Sequence, residues 1–195
     1  MSMILSMAAF ALAASISPGP VNIVALGSGA RYGFAASMRH VTGATFGFSM
    51  LLLLTGLGLH ELLVQLPWLT DALRWAGAAF LLTMAWRLAT DSGELDAGPA
   101  SKKPTLSHGA VMQWLNPKAW LAAVAGMGTY AAEGGLGAVW LFTGVYFVVC
   151  YLSIASWAWA GSVLQHYLQA PNRIRWFNRT MAAMIAASVI YLLAV

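Results

Sequence analysis

The sequence has very few charged residues. Only 8% of its 195 residues are Asp, Glu, Lys or Arg, whereas 60% are hydrophobic. A soluble domain carries about 25% charged residues, which it needs to cover a surface that faces water. The composition therefore excludes an ordinary soluble protein. It predicts an all-α integral membrane protein in which residues 1–195 form a single domain.

Cysteine is nearly absent too, and so are the patterns of several reactive sites. Cys150 is the one cysteine, which excludes an intrachain disulfide and a dithiol redox centre. The four histidines show no metal-ligand spacing, and the chain has no phosphate-binding loop. Apart from Lys118, the apolar stretches contain no candidate acid, base or nucleophile. We therefore predict no catalytic residue, no metal, no cofactor and no nucleic-acid partner.

Apolar stretches dominate what is present, and a membrane span needs about 20 such residues. We expect six transmembrane helices at residues 3–26, 41–59, 68–88, 107–127, 136–164 and 181–195. The sixth is short and needs support from the residues before it. No Lys or Arg precedes Arg31, which argues against a cleaved secretory signal and favours a first span that is retained.

Basic residues are distributed unevenly between the connections of these spans. Eight of the ten Lys and Arg lie in connections on one side, and Arg74 lies on the other. The positive-inside rule places the first side in the cytoplasm of an inner-membrane protein, with both termini outside. The longest connection, residues 91–104, is expected to be a cytoplasmic linker. The eight residues are Arg31, Arg39, Arg87, Lys102, Lys103, Arg173, Arg175 and Arg179.

The two halves on either side of this linker, about 1–90 and 105–195, share a pattern. "SPGPVNIVALGSGARYGF" and "NPKAWLAAVAGMGTYAAE" each place a proline before an apolar run and a Gly-x-Gly. With three spans in each half, the second copy must insert upside down. Inverted repeats with interrupted helices in corresponding positions are typical of secondary transporters. The matching residues, at an offset of 99, are Pro18, Gly27 and Gly29 against Pro117, Gly126 and Gly128.

Proline breaks a helix because it removes a backbone donor and clashes with the carbonyl one turn earlier. "SPGP" is therefore expected to break the first span and "NPK" the fourth, and two facing breaks would form a polar pocket. Lys118 would supply a cation, Asn22 and Asn116 would supply amides, and freed carbonyls would accept from an ammonium group. Gln113, one turn before Pro117, either lines this pocket or bonds across helices. The expected ligand is a small zwitterion such as an amino acid.

Simpler interpretations stay open for other residues of these motifs. Lys118 either serves the pocket or extends to the membrane interface. Pro18 and Pro20 either line the pocket or only kink the helix. Gly43 and Gly47 are spaced for close helix packing rather than for substrate contact, and such glycines permit a homodimer.

Four blocks of the sequence have a pattern that is known from one family. They are "SISPGPVNIVALGSGARYGF", "GATFGFSMLLLLTGLGL", "LRWAGAAFLLTMAWRL" and "QWLNPKAWLAA". Together they resemble the lysine exporter (LysE/RhtB) family of amino-acid exporters. The resemblance implies an inner-membrane protein that expels amino acids or related metabolites, driven by an ion gradient, with a proton as the expected coupling ion. By position, the family's motif residues are Pro18, Gly19, Pro20, Asn116, Pro117 and Lys118.

One position departs from this family's pattern. Many members carry an acidic residue just after the second glycine of the second-span motif, where this chain has Phe48. No acidic residue lies deep in a predicted span, so the usual proton carrier is missing and a basic substrate lacks a counter-ion. We therefore expect a neutral amino acid or derivative as the substrate. The alternative function is a membrane scaffold or subunit without transport activity, in which the prolines only kink helices.

Overall fold

The structure is a computed structural model that describes residues 3–59, 65–90, 105–131, 134–164, 167 and 170–194. The regular structure of these residues is entirely helical, as predicted, and a π-helical turn, Thr55–Leu59, continues the third helix. The predicted linker 91–104, with Lys102 and Lys103, lies outside the described residues. The eight α-helices of the described part are α1 Met3–Ile16, α2 Pro20–Tyr32, α3 Phe34–Leu54, α4 Pro67–Ala89, α5 Leu106–Trp114, α6 Pro117–Tyr130, α7 Gly135–Leu164 and α8 Pro171–Ala194.

Proline and glycine set the boundaries of several helices. Both α2 and α6 begin with a proline, at Pro20 and Pro117. Proline suits this position because the first N–H of a helix has no intrahelical acceptor and the ring already holds a helical φ. Gly33 separates α2 from α3 and has a φ of 80°, which lies in the left-handed region that glycine adopts without strain. The helix α3 therefore begins directly after α2.

Helix bounds differ from the predicted spans at both broken spans and at two helix starts. The first span is divided into α1 and α2 and the fourth into α5 and α6, as "SPGP" and "NPK" predict. The helix α3 begins at Phe34 rather than at residue 41, and α8 begins at Pro171 rather than at residue 181. Arginines in the N-terminal parts of these helices made those parts look like loops in the sequence. A long basic side chain is nevertheless tolerated at a helix end, from which it reaches the interface.

Six of the eight basic residues that were predicted in loops lie in helices, so that prediction is wrong for them. Arg31 and Arg87 are in the last turns of α2 and α4, where a cation meets the negative end of the helix dipole. The side of the membrane that these residues face stays a prediction. The remaining four lie in α3 and α8: Arg39, Arg173, Arg175 and Arg179.

Two helical segments of the described residues are long and apolar enough to cross a membrane, Phe34–Gly58 and Gly135–Leu164. The pair α1–α2 adds a third if it is one broken span, and its two helices are bent by 64°. The other predicted spans stay predictions. Large apolar side chains cover the outside of the bundle, as a surface in contact with lipid requires. Examples with exposed side chains are Leu12, Phe46, Leu121, Trp140 and Leu152.

The helix α7 is at the centre of the packing. The helices α1, α2 and α3 pack against it, α5 packs along α3, and α4 packs with α8. A smaller second core joins α4 and α8 with Ile23 of α2. This arrangement brings the break between α1 and α2 close to the break between α5 and α6. The main core includes Met7, Leu51, Met112, Phe142 and Tyr146.

Candidate functional site

The chain leaves helical geometry between α1 and α2. Pro20 and its extended N-cap, Gly19, leave the last carbonyls of α1 without the N–H partners of a continuous helix. Asn22 covers two of these carbonyls, because its Nδ2 donates to Ser15 O at 2.7 Å and to Ser17 O at 3.0 Å. The two N–H groups of one amide suit this arrangement. Asn22 is therefore a buried support of the first break.

Two residues that are distant in the sequence cover the other carbonyls of this break. Trp157 of α7 donates its ring N–H to Ile16 O at 3.0 Å. Lys118 of α6 donates from Nζ to Ser17 O at 2.9 Å, to Ser17 Oγ at 2.7 Å and to Pro18 O at 3.3 Å. The carbonyls of residues 15–18 thus all have partners, as an environment without water requires.

The second break, between α5 and α6, is shaped by Asn116. This residue is the N-cap of α6, and its Oδ1 accepts from Lys118 N at 3.2 Å. Trp120 donates its ring N–H to Trp114 O, at the end of α5, at 2.8 Å. The Nδ2 of Asn116 and the Oε1 of Gln113 are 3.5 Å apart, at the limit of a hydrogen bond, and both side chains are buried. The second break is therefore capped by nearby residues, and Lys118 joins it to the first.

A cavity of about 40 Å³ lies between the two breaks. Part of its lining is polar, and part is formed by Phe48, Tyr146, Cys150 and Ile154. The rings of Phe48 and Tyr146 pack together with their centroids 4.5 Å apart. The volume suits roughly two or three water molecules, so an amino acid of several heavy atoms enters only if the cavity widens. The cavity in this structure is therefore smaller than a whole amino acid.

The predicted binding residues divide into those that line this cavity and those that shape the breaks. Pro18 contributes its carbonyl to the contact with Lys118, whereas Pro20 and Pro117 are the first residues of α2 and α6 and do not line the cavity. Pro20, rather than Pro18, thus takes the position that Pro117 has in the second half. The predicted residues in the lining are Gly19, Asn22, Gln113, Asn116 and Lys118.

Gly43 and Gly47 lie away from the cavity, at the crossing of α3 and α5. A Cβ on Gly43 would lie 2.8 Å from Leu106 Cα, and one on Gly47 would lie 2.7 Å from Ala110 Cα. Both distances are too short for a side chain, so only glycine allows the two helices to approach this closely. These glycines face a helix of their own chain, and they are not free to form a homodimer contact.

The fold also brings residues to the site that the sequence did not single out. Ser17 accepts from Lys118 through both of its oxygens, and Ser15 Oγ is buried but makes no hydrogen bond of good geometry among the described residues. The two hydroxyls stand directly before the break in "SISPGP", which is the signal that could have found them. Tyr146 and Cys150, one turn apart in a uniformly apolar helix, carried no such signal.

Comparison with known proteins gives one consistent result. Residues 12–195 match the family described as LysE type translocator. The chain is 29% identical to the cysteine/O-acetylserine efflux proteins of Escherichia coli O139:H28 (strain E24377A / ETEC) and of Escherichia coli O157:H7. It is 28% identical to the protein of that name from Escherichia coli strain K12. Each likeness extends over 185 residues, 93% of this chain and 91% of the relative. No solved structure matches the chain.

The family match extends over nearly the whole chain and includes both helix breaks. It confirms the resemblance that was drawn from the PGP and NPKA motifs. A translocator moves a solute across a membrane without converting it, so the match also confirms a membrane transport protein and not an enzyme. The chain belongs to the LysE type translocator family.

Proposed function

We propose that this protein is a secondary transporter that exports a small neutral amino acid, or a related metabolite, across the bacterial inner membrane. The observation that carries the proposal is the cavity between two broken helices, with Ser15, Asn22, Gln113, Asn116 and Lys118 in its lining. Interrupted helices that face each other are where secondary transporters bind their cargo. The relatives that are named for cysteine and O-acetylserine efflux support export as the direction of transport.

The cavity offers groups that complement a zwitterion. The backbone N–H groups of Val21 and Asn22, in the first turn of α2, have no acceptor within that helix, and its positive dipole end favours a carboxylate. The N–H groups of Lys118 are bonded to the end of α1, so the first turn of α2 is the group that would receive the carboxylate. Ser15 Oγ and Gln113 Oε1 are oxygens that a substrate ammonium could approach. A small amino acid would thus be oriented between the two breaks.

The rest of the lining favours a short and uncharged side chain. Phe48 and Tyr146 are 3% and 2% exposed and fill the space beside Cys150. Asp71 is the one acidic residue of the described part, and it is exposed on α4 outside the lining. A basic side chain would therefore be buried without a counter-ion, which costs several kcal/mol or more. Cysteine and O-acetylserine both have a side chain that is short and uncharged.

The proposal includes six spans in two inverted repeats, about 1–90 and 105–195. The pair α1–α2 would correspond to α5–α6, α3 to α7, and α4 to α8. The packing supports part of this correspondence, because α3 packs with α7, α4 packs with α8, and α1 packs on α7 as α5 packs on α3. The extensive packing of α2 on α7 is not matched, since α6 only touches α3. A pseudo-two-fold axis between the halves would produce these pairs. The two halves would then cross the lipid in opposite directions, with the basic helix ends in the cytoplasm.

An ion gradient can supply the free energy for this export. One elementary charge that crosses a potential of 100 mV releases about 2.3 kcal/mol, which sustains roughly a fifty-fold concentration ratio. Coupling of one proton to one substrate would therefore suffice. Such coupling requires a group in the protein that binds and releases a proton.

Uptake into inside-out membrane vesicles tests the proposal. Radiolabelled L-cysteine, O-acetyl-L-serine, L-serine, L-leucine and L-lysine would be offered to vesicles with an acidic lumen. We expect accumulation of the small neutral compounds, loss of accumulation with a protonophore, and little uptake of leucine or lysine. The variant Gln113→Leu should lose uptake, because it removes an amide from the cavity. Gly128→Ala should retain it, because its added methyl group would meet no atom within 4 Å. Failure of every compound to accumulate, with the protein well inserted, would favour the scaffold alternative.

A further inference from the structure

The ammonium of Lys118 is fully occupied by the end of α1. A lysine ammonium has three N–H donors. Three oxygens lie within bonding distance of Nζ, namely Ser17 O at 2.9 Å, Ser17 Oγ at 2.7 Å and Pro18 O at 3.3 Å. No donor is left for a substrate carboxylate in this conformation. The direct role of this residue is therefore the contact between the two broken helices.

The surroundings of this ammonium contain dipoles rather than an opposite charge. Two backbone carbonyls and one hydroxyl accept from it, at the negative end of the α1 dipole. No carboxylate of the described residues contacts it. Across the cavity, α7 presents Tyr146 and Cys150, and α5 presents the uncharged Gln113. His40 of α3 lies behind the cavity, bonded to a backbone carbonyl of α2. The proton on Lys118 is thus held by interactions that a rearrangement of the α1 end would remove.

We infer that Lys118 is the proton-coupling group of the transport cycle, and that its protonation determines whether α6 is held against α1. The inference rests on the proposed function as an exporter. In the protonated form, three N–H groups hold the oxygens of Ser17 and Pro18. When the ammonium gives a proton to water on the cytoplasmic side, the neutral amine keeps two N–H groups and gains a lone pair. That lone pair is repelled by the carbonyl oxygens, so the contact weakens. A proton taken from the opposite side restores it.

The small volume of the cavity links this step to substrate entry. With the contact between Lys118 and Ser17 formed, the cavity measures about 40 Å³ and is too small for an amino acid. Separation of the two breaks would widen it, so a proton and a substrate would occupy the site in alternation. Gly19 leaves room for this side chain, because a Cβ there would lie 3.3 Å from Nζ and 3.4 Å from Cδ of Lys118. Lysine suits the role because it can lose its proton inside a protein, whereas arginine cannot.

Transport by the purified full-length protein in proteoliposomes tests the inference with radiolabelled L-cysteine as the probe. Two activities would be measured, namely exchange of cysteine for cysteine without a gradient at several pH values, and accumulation driven by a pH gradient. The variants are Lys118→Gln, which is neutral, and Lys118→Arg, which keeps a permanent charge. Gly27→Ala is the matched control, because its added methyl group would meet no atom within 4 Å. Ser17→Ala removes one acceptor while leaving the lysine in place.

The expected results separate coupling from binding. Wild-type exchange should depend on pH. Exchange by Lys118→Gln, whatever its rate, should not depend on pH, and its accumulation ratio should fall to about one. Lys118→Arg should lose both activities. Ser17→Ala should shift the midpoint of the pH profile to lower pH, because the protonated form loses an acceptor. Gradient-driven accumulation by Lys118→Gln at the wild-type level would overturn the inference, and so would an unshifted profile in Ser17→Ala. Loss of exchange in well-inserted Lys118→Gln would overturn it as well and would leave the exporter function standing. Absence of any transport by wild-type protein would overturn the proposed function itself.

Discussion

Alanine at Gly29 would force α2 and α7 apart. The two helices cross through a reciprocal pair of glycines, Gly29 of α2 and Gly161 of α7. A Cβ on Gly29 would overlap the Ala158 carbonyl oxygen and lie 2.9 Å from its carbon, and a Cβ on Gly161 would overlap the Leu26 carbonyl oxygen. Because the atoms in the way belong to helix backbones, neither side can rotate away. We therefore expect Gly29→Ala to destabilise the protein.

The size of this effect follows from the distances. The Ala158 carbonyl carbon must move from 2.9 Å to at least 3.4 Å, the lower limit of ordinary contact, and its oxygen must move further. Overpacking of this kind costs about 1–3 kcal/mol, and the better helix propensity of alanine offsets up to about 1 kcal/mol. At about 2–4 °C per kcal/mol for a chain of this length, a net loss of up to about 3 kcal/mol lowers Tm by up to about 12 °C. Gly27→Ala, with open space around its Cβ, should leave Tm unchanged or raise it by up to about 4 °C.

Thermal unfolding in detergent, followed by the fluorescence of the nine tryptophans, measures this difference. The two variants are two residues apart in one Gly-x-Gly motif, so they share detergent, helix and sequence context. Equal Tm values, or a lower Tm for Gly27→Ala than for Gly29→Ala, would refute the close crossing of α2 and α7.

Three further predictions concern the second Gly-x-Gly, the first helix break and the size of the cavity. In the second Gly-x-Gly, Gly126→Ala should lower Tm more than Gly128→Ala, because a Cβ on Gly126 would lie 2.6 Å from the Phe142 ring whereas one on Gly128 meets nothing within 4 Å; equal values would contradict this packing. Asn22→Ala should lower the free energy of unfolding by about 1–3 kcal/mol, because two buried carbonyls at the end of α1 lose its amide, and an unchanged Tm would argue against that role. Phe48→Leu should raise the inhibition of cysteine uptake by L-methionine relative to L-serine, because a smaller side chain widens the cavity; an unchanged ratio would remove Phe48 from the determinants of size.

The break points could be predicted from the sequence, whereas the contact across them could not. Proline breaks the helix in which it lies, whatever the tertiary structure. "SPGP" and "NPK" therefore predict two interruptions. The acceptor of Lys118 is Ser17, which is 101 residues earlier, and no local pattern states which helix ends meet. The sequence likewise does not show which of Gly27 and Gly29 is tightly packed. Only the position of α7 makes one tightly packed and leaves the other free.

Hydropathy also misplaced the starts of two helices. Arg39 in α3 and the three arginines of α8 lower the average hydropathy over a window, so both spans were predicted to begin too late. The average treats a charge as a property of the whole segment, although a long side chain carries it beyond the apolar region. The proline that begins α2 was also predicted two residues too early, at Pro18 instead of Pro20. Two prolines in "SPGP" can each end a helix, and only the fold shows that Pro20 begins the next one.

The carbonyl groups at the end of α1 depend on donors that are synthesised much later. Lys118 follows Ser17 by 101 residues, and Trp157 follows Ile16 by 141. At 5–20 residues per second, a ribosome needs about 7–28 s to add the second donor after its acceptor. During this interval the end of α1 has polar backbone groups without these donors, and lipid cannot satisfy them. A nascent chain that stops before residue 157 keeps this defect, and it would be a substrate for membrane quality control. A donor in α7, made late in synthesis, thus completes the end of α1.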